Sequence, residues 1–130
     1  MNKKIIPFFV AVMSLAVLLF AFVTPKKGKM FKHIVCFKFK AGISAEAKQK
    51  HISYFAALKD SIPEIVAYEG GDAQKVTYEN TADYDYVHIV TLKSKEDSEK
   101  YFHHPAHQRF IQANKESWSN VFVINTETEE

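Results

Sequence analysis

The sequence predicts an α+β domain of element order β-α-β-β-α-β, with a four-stranded antiparallel sheet and helices on one of its faces. Three observations predict it. Residues 31–40 and 84–92 alternate with period two and are rich in aromatic and branched side chains. Ser44 and Ser94 each precede a segment with helical spacing. A last apolar run, 121–124, supplies the fourth strand.

In the first strand Phe31, His33, Val35, Phe37 and Phe39 share one face, and Lys32, Ile34, Cys36, Lys38 and Lys40 share the other. Both faces are apolar at the centre, so both need cover. Ala41-Gly42 turns the chain. Ser44 caps a helix with Glu46 in its first turn, and Ile52, Phe55, Leu58 and Ile62 recur along its inner side until Pro63 ends it. Residues 65–69 form a short strand running into Gly70-Gly71, and the polar stretch 74–83 forms an edge or loop. In the third strand Tyr84, Tyr86, His88, Val90 and Leu92 oppose Val87, Ile89 and Thr91. Ser94 caps the next helix, with Asp97 in a capping-box-like position. His103-His104-Pro105-Ala106-His107 breaks that helix, and Pro105 suits the first turn of another, whose apolar side carries Phe110, Ile111 and Trp118. A frayed tail over 127–130 is expected.

The sheet face opposite the helices keeps Ile34, Cys36, Val87 and Ile89. One chain has nothing left to cover them. A second copy related by a two-fold axis is the simplest cover, so a homodimer is expected.

Composition bounds the function. A chain of 130 residues has room for one domain, and it carries 11 Phe and 6 Tyr, enough aromatic area for a core. The first 30 residues hold five lysines and no acid; without them 12 basic side chains face 15 acidic ones, a net of −3. A mildly acidic domain with one arginine, Arg109, is a poor ligand for phosphate backbones, which excludes nucleic-acid binding. Cys36 is the only cysteine, so no internal disulfide forms. Lys3 and Lys4 precede an apolar run at 5–23, long enough for a helix to cross a bilayer. The expected organisation is a signal or anchor segment at 1–29, the domain at 30–127 and a tail at 128–130. The domain then lies outside the cytoplasm, tethered to the membrane, or released if the leader is cleaved.

Phe31-Lys32-His33-Ile34-Val35, Ile62-Pro63, Tyr84-Asp85-Tyr86 and above all Tyr101-Phe102-His103-His104-Pro105-Ala106-His107 resemble the stress-responsive dimeric α+β barrel family, often called Dabb. The resemblance covers 31–127 and implies a ferredoxin-like fold, a paired barrel and a stress-response role. A plant polyketide cyclase of this family works in a pocket between sheet and helices. By that resemblance His107 matches its general base, Tyr101 and His33 match two further site residues, and its remaining positions fall on Phe55 and Tyr86.

His33, Tyr86, His88, Tyr101 and His107 are therefore expected to converge on one pocket, with Phe37 and Phe55 among its walls. A neutral histidine beside a phenol can take a proton from a carbon acid and steady the resulting enolate. The same pair can instead be structural, satisfying backbone groups at a helix start. His103, His104 and His107 form the one metal-like grouping, but Pro105 prevents the regular helix that would align them and no carboxylate completes it. No metal and no cofactor is expected; Gly70-Gly71 has no phosphate-loop context. The primary expectation is a domain that binds a small apolar or aromatic molecule. The alternative is a cyclase- or lyase-like enzyme using His107 as base on a carbonyl compound.

Overall fold

Alternating aromatic and branched residues favour extended chain, and the longest such run becomes a central strand of the sheet. The computed structural model describes residues 28–129. Its elements are β1 (Lys29–Phe39), α1 (Ala45–Ala56), α2 (Leu58–Ser61), β2 (Ile65–Asp72), β3 (Tyr86–Leu92), α3 (Lys95–His103), α4 (Pro105–Asn114) and β4 (Trp118–Glu129). The strands pair antiparallel in the order β2-β3-β1-β4, the ferredoxin-like arrangement that the resemblance implies. β1 and β3 take the two central places, β1 between β3 and β4 and β3 between β2 and β1. The partners of β1 in register are Ile34 with Ile89 and Ile124, and Cys36 with Val87 and Phe122.

The local signals act as expected. Ser44 Oγ accepts from the Ala47 amide and Ser94 Oγ from the Asp97 amide, each at 3.1 Å. Gly42 has φ of 83°, a left-handed turn that a side chain resists. The first helix is interrupted at Ala57, whose amide turns to the Ser53 and Phe55 carbonyls, and the short α2 then carries Leu58 into the core before Pro63.

The helices cover one sheet face. Phe31, Val35, Phe37, Val90 and Leu92 from the sheet pack on Phe55, Leu58, Ile62, Tyr101 and Phe110. On the opposite face Ile34, Cys36, Val87 and Ile89 are half-buried only, and Phe122 and Ile124 extend the patch at 49% and 45% exposure. Among the described residues no helix seals it.

Both ends of the expected domain move. β1 starts at Lys29, one residue inside the expected leader. The tail expected to fray is strand: Glu127, Thr128 and Glu129 pair with Phe31, Met30 and Lys29. The ladder of β1 supplies partners to backbone groups that the polar side chains gave no reason to expect. The apolar run at 5–23 lies outside the described residues. Among the described residues, no helix is long and apolar enough to cross a membrane.

Candidate functional site

The junction between α3 and α4 builds the site. Pro105 lacks an amide proton and starts α4, while His104 caps it, Nδ1 accepting from the Ala106 amide at 3.1 Å. The turn leaves carbonyls at the end of α3 without helical partners. Phe102 O is one of them, and it accepts from His107 Nδ1–H at 3.0 Å and from Gln108 Nε2 at 2.6 Å. A carbonyl only accepts, so the neutral imidazole of His107 carries its proton on Nδ1 and keeps a lone pair on Nε2. Burial holds the His107 pKa below the usual histidine value, against the opposing pull of that carbonyl; His33 and His104 add a smaller lowering. His107 is therefore neutral at pH 7.

Tyr101 lies against His107, ring centroids 4.5 Å apart, and against His33 at 5.4 Å. It is fully buried, and its hydroxyl has no hydrogen-bond partner. Burial pushes its pKa far above the usual phenol value, so it is a permanent O–H donor. His33 Nδ1–H donates to Asn125 Oδ1 at 2.7 Å, and burial lowers its pKa, the Asn125 bond opposing. The pairing of β1 with β4 sets that contact, since His33 and Asn125 are register partners.

Beside this trio a cavity of about 210 Å³ opens between β1, β4 and the helices. Its walls are Val35, Phe37, Phe55, Phe102, Phe110, Ile111, Trp118, Val121 and Val123, and its polar lining comes from His33 and His107. Phe37 and Phe55 are thus among its walls.

Tyr86 and His88 do not reach this cavity. They sit on β3, on the other side of β1 from β4, and the Phe37 and Phe55 rings stand between. The single expected pocket is two places. The β3 side chain that meets Phe55 is His88 rather than Tyr86, with its ring stacked at 3.8 Å and 11°. His88 is fully buried in a second cluster that the sequence reading missed. His51 Nε2 lies 3.2 Å from His88 Nε2, Tyr68 Oη lies 2.8 Å from His88 Nδ1, and Trp118 Nε1–H donates to His51 Nδ1 at 3.1 Å. His51 stands one helical turn before Phe55, so the period of the core face could have found it. Tyr68 had no such signal, because the register shift between Ile65 and Ala67 decides which way it points.

The histidines of the helix junction do not gather around a metal. His104 is occupied as a cap, His107 turns to Phe102 O, and His103 is exposed. Among the described residues no group of three or more His, Cys, Asp or Glu side chains could hold an ion.

Comparison with known proteins fits this geometry. The stress responsive A/B barrel domain (Dabb) family matches residues 31–128. The chain belongs to this family. It is 34% identical over 96 residues to the stress-response A/B barrel domain-containing protein HS1 of Arabidopsis thaliana, covering 72% of this chain and 85% of that one. It is 31% identical over 97 residues to olivetolic acid cyclase of Cannabis sativa, covering 72% and 92%. Among solved structures, the hydroxynitrile lyase of Passiflora edulis superposes with a TM-score of 0.70 at 22% identity, over 78% of this chain and 94% of that one. A dimeric ferredoxin-like protein from Thermobifida fusca superposes with a TM-score of 0.66 at 19% identity, over 78% and 92%. Proteins similar in sequence to this chain therefore include one named for stress response and one named as a cyclase.

Proposed function

We propose that this Dabb domain binds a small aromatic or apolar molecule that carries a hydrogen-bonding oxygen, in the cavity beside His107. The observation that carries the reading is an apolar cavity of about 210 Å³ whose polar lining is two imidazoles, each with its proton on Nδ1 and Nε2 left as an acceptor. An apolar wall favours a ring leaving water, and an acceptor nitrogen orients it through a hydroxyl. Amide NMR with 4-hydroxybenzaldehyde tests this. Shifts centred on His107, Val121 and Val123, weakened in His107→Ala, support it; no shifts at millimolar ligand refute it.

A second reading, proton-transfer catalysis on a carbonyl compound, is favoured by the buried, unpartnered Tyr101 hydroxyl. Such an orphan is costly unless an oxygen of the substrate accepts from it. In this reading His107 Nε2 takes a proton from the carbon beside the carbonyl, and Tyr101 O–H steadies the enolate oxygen, with His33 alongside. Two similar proteins named as a cyclase and a lyase are consistent with it. Deuterium exchange beside the carbonyl of propiophenone, abolished by His107→Ala and by Tyr101→Phe, decides for catalysis. Exchange at the rate of buffer alone decides against it.

The working unit in this proposal is a homodimer joined through Ile34, Cys36, Val87, Ile89, Phe122 and Ile124, since no helix among the described residues covers this apolar face. The dimeric structural neighbour supports that arrangement. The apolar run at 5–23 supports a domain tethered to a membrane or exported, outside the cytoplasm. Fractionation of tagged cells, with the domain in the soluble cytosol, would sink that placement.

A further inference from the structure

The second cluster is a hydrogen-bonded chain with a fixed direction. Trp118 Nε1–H can only donate, so His51 Nδ1 accepts and His51 carries its proton on Nε2. That proton is given to His88 Nε2, so His88 carries its own on Nδ1 and gives it to Tyr68 Oη. The Tyr68 hydroxyl is in turn hydrogen-bonded to that of Tyr86. Every donor and acceptor from the indole to Tyr68 is matched, with His51 and His88 fully buried between Phe37, Phe55, Phe110 and Trp118. Trp118 alone belongs both to this chain and to the cavity wall.

We infer that His51 is a positioning residue for the cavity: its acceptor nitrogen Nδ1 fixes the Trp118 indole as a wall, so affinity for an aromatic ligand depends on a group that the ligand never touches. This deepens the binding reading above and rests on it for the ligand, while the hold on Trp118 stands without it. Nothing else competes for the indole. The groups facing the pair are apolar or neutral: Phe37 and Phe39 from β1, Phe55 from α1, Phe110 from α4, Tyr68 from β2, and Tyr86 from β3. The nearby charges are engaged elsewhere. Lys48 sits 5.8 Å over the Phe39 ring, and Asp85 accepts from the Phe39 amide and from Lys38.

Two substitutions separate the two nitrogens of His51. Asparagine places an amide oxygen near Nδ1 and keeps the acceptor for Trp118. Glutamine reaches toward His88 and leaves the indole N–H unpaired. Trp118 is the only tryptophan, so its emission reports the wall directly. The expected result is wild-type emission and wild-type affinity for 4-hydroxybenzaldehyde in His51→Asn. In His51→Gln a red-shifted emission and about tenfold weaker binding by calorimetry are expected, the cost of one unpaired N–H. Equal behaviour of the two variants, in emission and in affinity, overturns the assignment. If the wild-type protein binds no aldehyde, the binding reading fails while the emission comparison still decides whether His51 holds the indole. If His51→Gln does not fold, Trp118→Phe removes the same bond from the other end; affinity in that variant equal to wild type overturns the proposal.

Discussion

Acidification from pH 7 to pH 5 is expected to remove about 4 kcal/mol of folding stability through His51 and His88. Burial lowers the His51 pKa to about 4; burial and then the neighbouring His51 lower that of His88 to about 3. In the unfolded chain both return to roughly 6.5. The native state binds fewer protons than the unfolded one, so stability rises with pH. The contribution is fully present above pH 6.5 and is lost as pH falls toward the two folded values. At pH 5 the unfolded chain holds nearly two more protons, and each residue forfeits about 2 kcal/mol relative to pH 7, with stability falling steeply as pH is lowered across the window. His33 and His107, also lowered by burial, act in the same direction. Asp83, held down by Lys75 and Lys38, and Asp85, where burial pulls upward but the Phe39 amide and Lys38 outweigh it, lose their contribution only below this window. Urea unfolding followed by Trp118 emission at half-unit pH steps measures the slope, and His51→Asn is expected to take away about half of the pair's share. A stability flat to within about 1 kcal/mol between pH 7 and pH 5 would refute the buried, neutral pair.

Further perturbations probe the rest of the fold. Phe55→Ala empties a site between Phe37, His88 and Phe110 and is expected to cost about 3–5 kcal/mol in urea unfolding. Gly70→Ala puts a methyl 2.4 Å from the Tyr68 hydroxyl, so the Tyr68–His88 bond breaks at a cost of about 1–3 kcal/mol. The same change shifts the His88 ring resonances in NMR; unshifted resonances would contradict it. Ser94→Ala removes the cap of α3 and lowers stability by about 1 kcal/mol, read from the urea midpoint. Ile89→Lys places a charge on the open sheet face and is expected to give a light-scattering mass of one chain, while the parent gives two.

Period-two alternation, two serine caps and the Pro63 and Pro105 breaks determined the element order and the helix-covered sheet face. Those signals are local: each depends on a few neighbouring residues and on the chirality of the chain. They also left Ile34 and Ile89 uncovered, whereas only the family resemblance singles out His107 and Phe55. Tertiary structure alone decided that Tyr86 and His88 part from His33 and His107, because strand order sets β3 and β4 on opposite sides of β1 and no pattern within a strand encodes its neighbours. It alone extended β4 through Glu129, since a polar strand is held by the backbone groups of its partner. It also joined Trp118, His51, His88 and Tyr68, whose donors and acceptors meet only when four distant segments pack together.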